Sequence, residues 1–223
     1  MLMVDILGTL DDKIENNNKL ILEYEKLMEL SFENMLSEKK DDWSKCSLLD
    51  IATYTNGLAM QKFRPRGKDF LPVVKIKELS QGYVDDNCEQ ADISIDERNI
   101  IDDGDIVFAW SGTLMVKIWC GGKAGLNQHL FKVTSNNYPK WFYYLWTKRH
   151  LMRFKNIAQG KAVTMGHIKR DDLAKSIVLV PSNETFKKYN NIISPICEQI
   201  VFLKKENRKI SLLKKCYLQK FFS

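Results

Sequence analysis

LGTLDDKIENNNKLILEYEKLMELSFENM, residues 7–35, is the stretch that decides the fold. Its apolar or near-apolar side chains Leu7, Leu10, Ile14, Ile21, Tyr24, Met28 and Met35 recur three and four apart, with Asn17 and Ser31 in the same register. That spacing is the narrow stripe of a coiled-coil seam. Outward along the chain the pattern returns in residues 192–221, as Ile196, Ile200, Leu203, Ile210, Leu213, Tyr217 and Phe221. Two helices of about 30 residues, each roughly 45 Å long, therefore enclose the block between them. A globular domain does not need two such arms, but a protein that holds its domain at a fixed distance from another does. Because the block begins and ends between the helices, they are expected to pair antiparallel within one chain. Asn17 then sits in an apolar seam, where a polar residue sets register at a cost in stability.

Charge supports the pairing. Residues 1–40 carry five basic and nine acidic side chains, whereas residues 184–223 carry nine basic and three acidic, out of a net +6 for the chain. Lys204, Lys205, Arg208, Lys209, Lys214 and Lys215 are placed to flank Asp11, Asp12, Glu15, Glu23, Glu25 and Glu29. The expected organisation is α+β: one mixed αβ domain over 41–183, flanked by long helices in 1–40 and 184–223 that form an antiparallel coiled coil. With 223 residues and 44% hydrophobic content, one central core is affordable. Cys46, Cys88, Cys120, Cys197 and Cys216 are scattered singly, which fits neither a disulfide framework nor a zinc site and reads as free thiols. The acidic start, interrupted at Asp5 and Gly8, lacks the charge of a signal peptide, and no apolar run approaches about 20 residues. The expected location is cytoplasmic.

The middle begins near Trp43, after the charged stretch SEKKDDWSK. LLDIATYTNG is a helical or extended entry ending at Gly57, and LPVVKIKELSQGYVDD reads as a strand, a short turn and a polar exit. Asp103-Gly104 is a turn ahead of a buried strand, Ile106 to Trp110, stopped by Ser111-Gly112. VKIWC and NQHLFKVTS are further strands. From Pro139 the aromatic spacing of WFYYLWTKRHLMRFKNIA turns helical, and SIVLVP is a last strand.

Catalytic constellations are scarce. No Pro-Pro is present for an Asn/Asp-Pro-Pro-aromatic methylation motif, and Gly121-Gly122-Lys123 lacks the spacing of a phosphate loop. Asp102, Asp103 and Asp105 are the densest carboxylates, but they surround a glycine turn and read as structural rather than as a Mg²⁺ site. His129, His150 and His167 have no ligand spacing. The sequence calls for no cofactor and no metal. What the middle does hold is glycine-punctuated polar loops. QKFRPRGK carries Gln61, Lys62, Arg64, Arg66 and Lys68; GGKAGLNQH carries Lys123, Asn127, Gln128 and His129; AQGKAVTMGHIKR carries Gln159, Lys161, Thr164, His167, Lys169 and Arg170. Lys and Arg neutralise phosphates, while Arg pairs with guanine and Asn or Gln with adenine in the major groove, so double-stranded DNA is the expected ligand. Arg64, Asn127, Gln128 and His167 are the base-reading candidates; for Asn127 and His167 the competing role is capping turns.

These segments, in this order, resemble the DNA-specificity subunit of type I restriction–modification systems, in a half-length form with a single target-recognition domain. ILGTLDDKIENNNKLILEYEKLMELSFENML is similar to that family's conserved helix, with its Leu–Asp-Asp-Lys-Ile core followed by Asn. DDGDIVFAWSGT, GLNQHLFKV and AQGKAVTMGHIKRDDLAKSIVLVP resemble landmarks of its recognition domains, and ISPICEQIVFLKKENRKISLLKKCYLQKFFS its terminal helix. The usual Pro-x-x-Glu-Gln entry appears as Pro195-Ile-Cys-Glu198-Gln199, and the departure is mild: the aromatic end of the first helix is reduced to Phe32 and Met35. The resemblance implies a non-catalytic subunit that reads one half of a bipartite DNA site. It also implies helices acting as a ruler that docks a methyltransferase (modification) subunit, a separate restriction/motor subunit, and a homodimer equivalent to a full-length subunit. The same residues also fit the C-terminal half of a longer chain. Two other readings stay open: a coiled-coil adaptor whose central domain binds protein, and a metal-dependent nuclease domain.

Overall fold

A computed structural model describes residues 2–160 and 167–222. Helix α1 (Leu2–Ser37) and helix α7 (Asn183–Phe222) lie antiparallel along each other, the expected pairing. Ion pairs measure the register: Asp11 with Lys214, Glu25 with Lys204 at 2.8 Å, and Glu38 with Lys188 at 2.7 Å. Every seam position read in α1 faces inward. Ile21, Met28, Ser31 and Met35 are buried, and Leu7, Leu10, Ile14 and Tyr24 half-buried. Asn17 is fully buried, and its Nδ2 donates to Glu206 Oε2 (2.7 Å) and Asn207 Oδ1 (2.8 Å). On α7, Ile196, Ile200 and Leu203 are buried and Ile210 and Tyr217 half-buried. Leu213 is a correction. It is 46% exposed, because Lys214 takes the inward turn to reach Asp11. The side chain of Phe221 lies outside the described residues. α7 runs through Pro195, which has no N–H for the preceding turn.

Among the described residues the enclosed block carries three sheets. Strands β1 (Ser44–Ser47) and β10 (Ile177–Val180) pair antiparallel, with α2 (Leu48–Ile51) directly after β1. An antiparallel sheet is ordered β2 (Thr53–Asn56), β9 (Leu130–Thr134), β6 (Ile106–Ala109), β7 (Met115–Ile118). The third is ordered β4 (Gln90–Ala91), β3 (Leu71–Val74), β8 (Ala124–Leu126), β5 (Ile100–Ile101), with β3 and β8 parallel. β6 explains its unbroken apolar run by alternation. Ile106 and Phe108 join the core shared with the helix pair, while Val107 and Ala109 join a second cluster with Leu126 and Trp119.

Two expectations needed revision. The segment after β3 is not a short turn but helix α3 (Ile76–Gln81), opened when Glu78 Oε2 accepts the Lys75 amide and closed by Gly82 in the left-handed region. The aromatic helix is two, α4 (Lys140–Arg149) and α5 (Leu151–Gln159), meeting at His150. Residues Trp141 to Thr147 of α4 are all buried, because the helix is packed between the helix pair, the sheet and β1–α2. Thr147 Oγ1 lies 2.7 Å from Tyr54 Oη, and the Phe32 ring meets Trp146 edge-on. Lys148 and Arg149 at its end pair with Glu29 and Glu33 of α1.

Arg208 and Lys215 were expected to flank the acids of α1; both instead reach the enclosed block. Arg208 grips Asp103 with two hydrogen bonds of 2.9 Å, and Asp103 also accepts the Gly122 amide at 2.9 Å. Gly122 has φ +89°, and a Cβ there would stand 2.3 Å from Arg208 Nη1. Lys215 pairs with Asp86 at 2.6 Å. The Asp102–Asp105 cluster is thus a structural turn, and among the described residues no group of ligating side chains could hold a metal ion. None of the described helices is long and apolar enough to cross a membrane.

Candidate nucleic-acid interface

β6 and β8 run from the helix pair towards a polar end. At the near end stand the Asp103 turn and Gly122, both against Arg208. At the far end stand Trp110-Ser111, after β6, and Asn127-Gln128-His129, after β8. Four strand residues cover roughly 13 Å, enough to hold the far loops clear of α7.

The close approach of two loops builds this end. Leu58 donates its amide to Leu126 O at 2.8 Å and bridges Asn127, which packs the chain leaving β2 against the chain leaving β8. Gly57 is required there, because a Cβ would meet Asn127 O at 2.2 Å. The following 3₁₀ turn, Met60–Lys62, anchors buried Met60 and leaves Gln61 and Lys62 outside. The result is a cavity of about 560 Å³ in which Gln61 and Arg64 face Asn127, Gln128, His129 and Ser111.

Its floor is hydrogen-bonded. Ser111 Oγ lies 2.9 Å from His129 Nδ1, and Asn127 Oδ1 accepts the His129 amide at 3.2 Å. Asn127 is 6% exposed, so its Oδ1 serves the turn, the capping role weighed above. His129 is exposed and Gln128 half-buried beside it. His167 joins the site through a bridge to Ser111, and Trp110 lies between the two imidazoles, 6.1 Å from each.

The remaining predicted residues divide. Lys62, Arg66 and Lys68 are exposed along the loop beyond Gln61, flanked by the exposed rings of Phe63 and Phe70. Lys169 and Arg170 are exposed at the start of α6 (Arg170–Ala174), and Gln159 at the end of α5. Lys161 and Thr164 lie outside the described residues. Lys123 is separated from its expected neighbours: GGKAGLNQH is not one loop, because buried β8 runs through it and leaves Lys123 at the helix-pair end. Sequence reasoning missed Lys75, Lys77 and Glu89, which also line the cavity. Glu89 Oε2 lies 2.5 Å from Lys75 Nζ, and Oε1 lies 3.3 Å from Arg64 Nη1. Lys75 and Lys77 alternate beyond a strand and were a readable signal. Glu89, in the loop before two-residue β4, had none.

Residues 40–212 match the family described as the type I restriction modification DNA specificity domain. The chain belongs to that family. Within it, the specificity subunit of the type I restriction enzyme EcoBI of Escherichia coli is 27% identical over 159 residues, which cover 70% of this chain and 32% of that protein. The chain thus spans about a third of the length of this curated relative. Among solved structures, the S subunit of a type I restriction–modification system from M. genitalium superposes with a TM-score of 0.62 at 14% identity, covering 98% of this chain and 59% of that one. At that identity the likeness shows the fold alone, and it extends over both long helices of this chain and the block between them.

Proposed function

We propose that this specificity-family chain recognises one half of a bipartite site in double-stranded DNA, with 41–183 as the reading domain and the helix pair as spacer. The observation that carries the reading is the convergence of Gln61, Arg64, Gln128 and His129 on one groove at the end of the strands away from α7, with His167 bridged to Ser111 of its lining. Exposed cations surround it, in the division of labour that duplex recognition uses: Lys and Arg on phosphates, Arg and amides on base edges. The helix pair with its opposite charges would set the distance to a second reading domain, supplied by a second copy in a homodimer whose two-fold symmetry calls for a palindromic pair of half-sites. It would also dock the methyltransferase and motor subunits, which carry out adenine methylation, ATP hydrolysis and cleavage.

The test is direct. The purified chain is expected to bind duplex DNA with an affinity that falls steeply with salt, and to show no methylation, cleavage or ATP hydrolysis alone. Adding the cognate methyltransferase subunit is expected to restore adenine methylation at one sequence. Salt-independent binding to a protein with none to DNA would establish the adaptor reading instead.

A further inference from the structure

Glu89 is out of place in a surface that attracts a polyanion. Its side chain is 12% exposed, and its carboxylate lies in the groove lined by Gln128 and His129. Both oxygens are engaged: Oε2 holds Lys75 at 2.5 Å and Oε1 holds Arg64 at 3.3 Å. The backbone around it is pinned, since Glu89 O accepts the Val73 amide at 2.7 Å and Lys75 opens α3 through Glu78. Arg64 by contrast rises from an irregular loop with its side chain 63% exposed, and among the described residues only Glu89 pairs with its guanidinium.

Resting on the DNA-reading function above, we propose that Glu89 is a positioning residue that fixes Arg64 for base-edge contact and keeps phosphate out of the groove. A free arginine on a loop is a sequence-blind cation. The same arginine paired through Nη1 with one anchored carboxylate is biased towards one orientation, with donors left over for the O6 and N7 of a guanine. The carboxylate also repels phosphate, so the groove gives up general affinity in exchange for discrimination. The two consequences have opposite signs, which separates this role from a merely structural one.

The experiment selects duplexes from a randomised pool with the full-length wild-type chain. It then measures the affinity of wild type, E89Q, R64A and R64A/E89Q for the selected duplex and for the unselected pool. E89Q is expected to bind the pool several-fold more tightly, yet to lose about 5- to 100-fold of the selected-over-pool ratio. The double variant is expected to lose no more of the ratio than R64A, because Glu89 acts through Arg64. An E89Q protein that keeps the ratio, that weakens on both DNAs alike, or whose loss adds to that of R64A overturns the proposal. If E89Q melts well below wild type, E89D decides. It keeps the charge and shortens the reach, so the ratio should fall with pool affinity unchanged, and an unchanged ratio overturns the proposal. A wild-type chain that enriches no sequence overturns the DNA-reading function itself, and this proposal with it.

Discussion

Along the helix pair, charges meet partners across the seam, as Lys204 does with Glu25, Lys13 with Glu206 and Lys214 with Asp11. On the polar loops, Lys62, Lys68, Lys169 and Arg170 make no ion pair among the described residues, although Arg64 and Lys75 in the groove itself share Glu89. The helix pair uses its charges internally, on register, whereas these four loop cations stay free among the described residues and, under the proposed function, are available to phosphates. The same residue type therefore predicts different losses in the two regions: stability in the first, binding in the second.

The largest effect belongs where both regions share a core. Phe108 is fully buried against Tyr54, Phe131 and Phe154, and F108A is expected to cost about 3–5 kcal/mol and abolish DNA binding along with folding. Thermal melting followed by circular dichroism reads it; a folded F108A protein with intact binding would break the link between lobe and groove. R208M, which leaves Asp103 facing the Gly122 turn without its cation, is expected to cost about 1–3 kcal/mol, discounted because Arg208 is partly solvated. Replacing Asn17 by Leu is expected to raise stability by about 1 kcal/mol, since Asn17 Oδ1 is buried without a hydrogen-bond partner among the described residues, and to loosen register or assembly state. A lower melting point would count against that account of the seam.

His150 gives a smaller, pH-dependent effect. Burial lowers its pKa below the ordinary 6.5, although it hydrogen-bonds Ile177 O, and Arg153 and Arg149 add to the lowering. The folded state therefore favours the neutral ring. Stability from this group is intact above about pH 6.5 and declines as pH falls towards the lowered value. H150Q should remove that part of the acid sensitivity, read as the change in melting temperature between pH 7.5 and 5.5. Smallest of all, K62A should leave melting unchanged and weaken binding to all duplexes alike, with the salt slope reduced by about one.

The helix pair was legible because a seam is a one-dimensional pattern: Leu7 to Met35 and Ile196 to Leu203 carry their own spacing, and opposite net charge gives the pairing. The strand Ile106–Ala109 was legible for the same reason. Sequence spacing could not show that Arg208 turns away from α1 to Asp103, because a basic side chain beside a seam has two directions open to it. Nor could it show β8, three small or apolar residues whose pairing with β3 and β5 depends on contacts far along the chain. The groove was half legible. Polar loops named Arg64, Asn127, Gln128 and His167, but only the fold brings them together, assigns Asn127 to the turn, removes Lys123 and introduces Glu89.

The central claim is that this groove reads DNA sequence. The measurement that tests it most directly compares wild type with the protein carrying alanine at Gln61, Arg64, Gln128 and His129, on a duplex selected by the wild type and on unselected duplex, with melting recorded beside both. A selected-over-unselected ratio that collapses towards one, with most unselected affinity retained and the protein folded, is the predicted result. An unchanged ratio in a folded quadruple variant would place recognition elsewhere and contradict the account.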